Sequence, residues 1–334
     1  DTFETWRDEL IKKRDAGQDV GLELMEGRTV VENTRERADG GDRKALAGLL
    51  KAFDTAVDDK ARAEVLLDWD VRDLMARWSD RSRSSEYKTL EVVVDRVQAR
   101  FAAWYEMFHR SQGTEPGKSA TFADCERRLP EIRDMGFDVI YFVPIHPIGR
   151  KHRKGPNNTL HAGPNDPGSP YAIGSVEGGH CNVHPDLGTL EDFRHFVFRA
   201  REMGMEVALD FAIQCAPDHP WIEEHPEWFN FRPDGTIKYA ENPPKKYQDI
   251  VNVDLDCEAR EALWAALRDT VAFWADQGVR IFRVDNPHTK SVPFWEWMIR
   301  DIQEKYPDVL FLAEAFTRPP MLKMLAKAGF SQSY

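Results

Sequence analysis

Ile281-Phe282-Arg283-Val284-Asp285-Asn286 is an apolar run that ends in charge, and Leu312-Ala313-Glu314-Ala315 repeats the form one helix further on. Short β-branched and aromatic runs of this kind predict buried strands. Charge at the carboxyl end of such a strand lies where parallel α/β folds keep their chemistry. Outward from these two runs, the segments near 101–108, 137–145 and 206–213 complete a set of predicted strands with 279–286 and 309–316. Amphipathic helices are predicted between them near 120–135, 189–203, 258–277 and 293–306, the last opening on Pro293, a good first-turn residue. Strict alternation of strand and helix means right-handed βαβ units and a parallel sheet. No Gly-x-Gly-x-x-Gly follows the first strand, so the expectation is a (β/α)8 TIM barrel and not a doubly wound dinucleotide fold. Only five strands are predicted from Phe101 onward, three short of eight, and Ser331-Gln332-Ser333-Tyr334 follow a helix with no closing element. The barrel is therefore expected to be truncated.

Upstream of Phe101 the pattern is helical. Leu46, Leu49, Leu50, Phe53 and Val57 recur at helical spacing, Val65, Leu66, Trp69, Leu74 and Trp78 partly repeat it, and the run at 90–94 is β-rich and expected to close the unit. The expected domains are a mostly helical 1–98 and a partial barrel at 99–334, with a loop subdomain inserted at about 214–257. That insert and another at about 146–185 are rich in Gly, Pro, Asn, His and Trp, and loops of such length are commonly functional.

Composition narrows the partners. The 334 residues are 42% hydrophobic and 31% charged, which excludes disorder for the bulk of the chain. A formal charge of −12 argues against general nucleic-acid binding, which needs clustered positive charge. No run approaches the ~20 apolar residues of a membrane span, and Asp1-Thr2-Phe3 opens no targeting segment. Cys125, Cys181, Cys215 and Cys257 have neither CxxC nor zinc-like spacing, so they read as free thiols in a reducing, cytoplasmic setting, with no metal expected.

Two carboxylates on adjacent strand ends are the equipment of glycoside cleavage, although either alone could equally hold a metal or cap a helix. The surrounding words decide more. Asp210 closing Val207-Ala208-Leu209-Asp210, FRVDN at 282–286 and LAEA at 312–315 resemble, in order and spacing, three motifs of the α-amylase family of retaining (β/α)8 glycosidases, and 183–193 resembles that family's segment before its second helix. Within the family, GRKHRKGPNN (149–158), IQCAPDHPW (213–221), AENPPKKYQDI (240–250), FRVDNPHTK (282–290) and FLAEAFTRP (311–319) resemble the α-1,4-glucan:maltose-1-phosphate maltosyltransferases, as does the helical leader from Phe3 onward.

The resemblance implies that Asp285 is the nucleophile of a maltosyl-enzyme and that Glu314 is first the acid and then the base. Such a pair needs Asp285 ionised, Glu314 with a raised pKa, and carboxyls roughly 5–5.5 Å apart. Arg283, on the same strand face as Asp285, would hold the nucleophile ionised. Asn242, Lys245, Tyr247 and Asn286 match phosphate-contacting positions, though Lys245-Lys246 also reads as two solvated loop lysines. Lys154, Asn158 and Gln214 are assigned to maltose hydroxyls, though 150–154 also reads as a basic surface run. Asp210 is expected to support the site. Gln214-Cys215 and His288-Thr289 stand where hydrolytic relatives carry Asn-His and Lys-His, which counts against starch hydrolysis. The family's third acidic residue, on a seventh strand, falls beyond Tyr334. The implied activity is retaining transfer of maltosyl units from α-maltose-1-phosphate to the non-reducing end of an α-1,4-glucan with release of inorganic phosphate, with no cofactor, nucleic acid or membrane and a homodimer as a possible assembly. The alternatives are an α-amylase-type hydrolase and a catalytically silent glucan-binding protein.

Overall fold

The computed structural model describes residues 1–90 and 92–333, and divides into two compact units, 1–92 and 93–334. The first unit packs helices α1 (Thr2–Asp15), α2 (Gly21–Arg37), α3 (Gly40–Thr55), α4 (Asp59–Leu67) and α5 (Trp69–Arg77) around Phe3, Leu10, Leu24, Val31, Leu46 and Phe53. Helices α1 and α2 meet where Gly27 lies under the Trp6 indole; a Cβ there would stand 2.0 Å from the ring. Two expectations fail in this unit. Val57 lies past the end of α3 and Trp69 opens α5, and both are exposed. The run at 90–94 forms no strand: Leu90, Val92, Val93 and Val94 are exposed and unpaired, and Glu91 lies outside the described residues. β-propensity expresses fit to a neighbouring strand, and among the described residues no strand pairs with Leu90 or with 92–94.

The second unit begins with α6 (Val97–Arg100) and β1 (Trp104–Met107), followed by α7 (Phe122–Glu126), α8 (Leu129–Asp134), β2 (Val139–Phe142), α9 (Leu190–Glu202) and β3 (Glu206–Phe211). The second insert contributes α10 (Pro220–Glu224) and an antiparallel hairpin, β4 (Tyr239–Asn242) and β5 (Lys245–Val251). Then come α11 (Arg260–Asp276), β6 (Ile281–Val284), α12 (Val292–Lys305), β7 (Leu310–Ala313), α13 (Pro319–Ala328) and β8 (Gln332–Ser333). The main sheet runs β1-β2-β3-β6-β7-β8, all parallel. Each strand pairs with the one before it in the sheet, with no reversal of order, which is barrel topology; a doubly wound sheet reverses direction at a switch point.

The structure corrects the expected elements in three places. A sixth strand, β8, pairs with β7 where the chain was expected to lack any further element; two residues are too short to carry a periodic signal. The helix near 120–135 is two helices broken at 127–128, because Pro130 lies in the first turn of α8 and starts it afresh. The second insert is partly regular: Cys215 pairs with Val251, the last residue of β5, and Phe229 pairs with Val253 just beyond it.

Strand period sorts the side chains. One face of the sheet packs Phe142, Leu209, Phe282 and Phe311 against Phe122, Phe196, Trp274 and Trp295 of the helices. The other face carries Val139, Tyr141, Ala208, Ile281 and Leu310. Asp210 lies two residues beyond Ala208, Arg283 two beyond Ile281, and Glu314 four beyond Leu310, so this inner face turns polar at the carboxyl ends of β3 and β6 and just past the end of β7. Helix α9, which follows the first insert, starts from a capping box in which Thr189 and Asp192 satisfy each other's backbone N–H.

Candidate active site

Register places Asp210 directly opposite Arg283 across β3 and β6. The Arg283 guanidinium donates from Nη1 to Asp210 Oδ2 (2.9 Å) and to Asp285 Oδ1 (3.0 Å), and its Nη2 lies 2.5 Å from Glu314 Oε1. Three carboxylates thus share one cation whose side chain is 7% exposed. The expected trio Asp285, Glu314 and Arg283 is assembled, with Asp210 beneath it. Anchorage on one planar guanidinium brings Asp285 and Glu314 together, and a hydrogen bond between them is among the causes of the Glu314 pKa shift.

Electrostatics follow from the shortage of positive charge. Burial raises the Glu314 pKa, the hydrogen bond with Asp285 raises it further, and Arg283 opposes both. Asp210 is raised to about 7, again chiefly by burial, against the pull of Arg283. Hydrogen bonds from Tyr141 and Tyr171 favour its charged form, and burial together with the Asp285 charge outweighs them. Tyr141 Oη (2.5 Å), Tyr171 Oη (2.9 Å) and Arg283 all donate to Oδ2, while Oδ1 is buried without a partner.

Two neutral groups complete the carboxylate's surroundings. Gln214 Nε2 donates to Asp285 Oδ2 at 3.1 Å, and the Asn286 amide approaches Oδ1 at 3.4 Å. Asn286 has φ 45°, a left-handed conformation in which its backbone N–H reaches Glu314 Oε2 at 3.3 Å. Gln214 and Asn286 are therefore both brought to the pair.

The other expected residues are gathered elsewhere. Lys154 is buried, not part of a surface run, and donates to Gln248 Oε1 at 2.5 Å beside Asp249. Asn242, Lys245 and Tyr247 meet at the tip of the β4–β5 hairpin: Asn242 pairs with Lys245, whose ammonium lies 5.9 Å from the Tyr247 ring. Both Lys245 and Asn242 are exposed. Asn158 is exposed with φ 61°, and no hydrogen bond ties it to the carboxylates among the described residues.

Four residues were missed. Tyr141 and Tyr171 hold Asp210; Tyr141 carried a usable signal, since it lies in a predicted strand, but not which face it takes. Asp249 is buried with Oδ1 unpartnered and its pKa raised by burial. Lys290 is half-buried, has its pKa lowered by burial against the attraction of Asp285, and its ammonium donates to Thr289 Oγ1 at 3.1 Å.

His180, Cys215 and His219 are buried with ligand atoms within 4.8 Å of one another. Their hydrogen bonds assign tautomers unsuited to a metal. His219 Nδ1 accepts the Trp221 N–H (3.0 Å), so the proton of the neutral ring is on Nε2, which donates to His180 Nδ1 (3.2 Å); His180 Nε2 in turn donates to the Ala212 carbonyl (3.0 Å). Burial lowers both pKa values, to about 4 for His180 and about 2 for His219, keeping the rings neutral.

Comparison with known proteins places these features. Residues 1–96 match the family described as "Alpha-1,4-glucan:maltose-1-phosphate maltosyltransferase, domain N/S". The whole chain is 61% identical to the alpha-1,4-glucan:maltose-1-phosphate maltosyltransferase of Rhodospirillum rubrum, covering 49% of it, and 52% identical to that of Pseudomonas aeruginosa, covering 50%. The chain spans about half the length of these curated relatives. Among solved structures, an alpha-amylase from Lactobacillus plantarum is 31% identical with a TM-score of 0.55 over 70% of this chain and 49% of its own. The maltogenic alpha-amylase AmyB of Thermotoga neapolitana is 26% identical with a TM-score of 0.54 over 67% and 47%. Over the half of those relatives that it spans, the chain is similar from end to end to the α-1,4-glucan:maltose-1-phosphate maltosyltransferases, and its parallel sheet is similar to the α-amylase type of barrel.

Proposed function

We propose that this chain carries the nucleophile and the acid of a retaining maltosyltransferase that moves maltosyl units from α-maltose-1-phosphate to the non-reducing end of an α-1,4-glucan. The observation that carries the reading is the pair Asp285 and Glu314 on one guanidinium, with burial raising the Glu314 pKa. An Asp285 oxygen attacks the anomeric carbon, the bond from that carbon to the phosphate oxygen breaks, and Glu314 gives its proton to the leaving phosphate. The acceptor hydroxyl then loses its proton to Glu314 and displaces Asp285, so two inversions restore the α-configuration. Arg283, Gln214 and Asn286 orient the nucleophile by the bonds they make to its two oxygens. Lys154 and Asp249, both buried, are suited to maltose hydroxyls, and Asn158 is assigned to the same sugar. The hairpin tip, Asn242, Lys245 and Tyr247, supplies a cation and amide donors for phosphate. The reaction is placed in the cytoplasm, a reducing setting that the four free cysteines suit.

The α-amylases among the solved neighbours favour one alternative, hydrolysis, which would release reducing sugar without any need of phosphate. The test is intact mass after mixing with α-maltose-1-phosphate. Glu314→Ala should accumulate a maltosyl adduct, because phosphate leaves readily with little protonation, whereas Asp285→Ala should form none. Absence of the adduct from Glu314→Ala, with equal loss of turnover in both variants, refutes the assignment of roles.

A further inference from the structure

We infer a second binding site, for a phosphorylated sugar, in a cavity of about 1140 Å³ framed by the loop after β1, the first insert and the turn at 184–186. None of Asp285, Glu314, Arg283, Gln214 or Asn286 lines it. Its volume suits a small organic ligand.

The cationic wall is Arg110. Its side chain is 8% exposed, and its Nε is buried without an acceptor. Its nearest acceptors, Ser119 Oγ at 3.4 Å and Asp186 Oδ2 at 3.5 Å, both face Nη1 and lie at the long limit of a hydrogen bond. Arg153 lines the same cavity and gives its three nitrogens to the carbonyls of Gly149, Ile148 and Asp166, while Asp218, Glu177 and Asp186 act on its charge through space. Burial and this second guanidinium both disfavour the charge on Arg110, and Asp186 is its one opposing carboxylate. His184 adds a neutral donor: its Nδ1 accepts the Asp186 N–H at 3.2 Å, which leaves the ring proton on Nε2. A buried guanidinium with unused donors fits an oxyanion of phosphate shape.

The remaining walls fit the sugar. Glu115 and Glu177 are already paired with Lys118 and Arg150, so they can accept from hydroxyls without confronting the phosphate unshielded. Phe108, 43% exposed, offers a ring face to a pyranose. This site is independent of the chemistry proposed for Asp285 and Glu314.

The test is hydrogen exchange over 108–119 and 184–186, with α-glucose 1-phosphate, inorganic phosphate and glucose as probes. The phosphosugar should slow exchange there at roughly tenfold lower concentration than inorganic phosphate, and glucose should have no effect. Arg110→Gln should weaken that protection about tenfold or more, and Lys245→Ala should leave it unchanged. Because Arg110 is buried, Arg150→Ala at the exposed rim is measured beside it, with thermal unfolding confirming that each variant folds; freeing Glu177 should also weaken binding. No protection in the wild type, or full protection in both folded variants, overturns the site. Equal potency of inorganic phosphate overturns the assignment to a sugar.

Discussion

Asp210 tests how far burial outweighs an ion pair. Its pKa stands at about 7 against an ordinary 3.8, so the folded state prefers the protonated acid. Its stabilising contribution is then full near pH 4 and is lost as pH rises through about 7. Asn in its place keeps the shape and removes the titration. The stability of the wild type relative to Asp210→Asn should therefore fall between about pH 4 and pH 7 and level off above, measured by denaturant unfolding at each pH. A constant difference across that range would mean that Arg283 keeps Asp210 ionised after all. Asp210, Arg283, Asp285 and Glu314 were all legible as residues because each sits at or just past a strand end, where a period of two decides which side chains converge. Tyr141 and Tyr171 were not, since their role depends on which hydroxyl reaches which carboxylate oxygen, and one of them lies deep in an insert with no period at all.

The hairpin is the element on which the reading of the leaving group turns. Its base is tied beside Gln214 through the paired Cys215 and Val251, and its tip carries Lys245 six residues away, about 20 Å along an extended strand. If that tip closes over a donor phosphate, Lys245→Ala removes a charge-assisted hydrogen bond worth on the order of 1.5–3 kcal/mol. kcat/KM for α-maltose-1-phosphate should then drop roughly ten- to a hundredfold, while cleavage of an aryl maltoside should hardly change. The comparison is phosphate release with a malto-oligosaccharide acceptor against release of the aryl group. Equal loss for both donors would make Lys245 a structural residue of the hairpin. The hairpin itself was not legible: AENPPKKYQDI reads as loop because charge and proline mask its pairing, and β8 escaped because two residues carry no pattern. The long helices and the five longer parallel strands were legible because they repeat a period over several residues.

At the scale of the whole molecule, the order of strands was readable from alternation alone, since right-handed βαβ units laid side by side leave few arrangements. The fate of 90–94 was not, because a strand needs a neighbour that its own residues do not specify. The chain's formal charge of −12 surrounds a cluster in which three carboxylates meet one guanidinium. Whenever two of those acids are ionised, the cluster is net anionic, and the field of the chain adds to it. Such a place is a trap for cations. A maltose analogue with a basic nitrogen near the anomeric position should inhibit about tenfold or more tightly than its uncharged counterpart, from the added charge-assisted hydrogen bonds. The advantage should grow as rising pH ionises Glu314 while the nitrogen stays protonated. Inhibition constants for the two analogues across pH measure it, and equal constants would mean that the pocket's surplus charge is already cancelled by protons. The surplus of carboxylates over the one arginine thus makes the site selective for positive charge at the sugar, although the donor that it is proposed to cleave arrives negative.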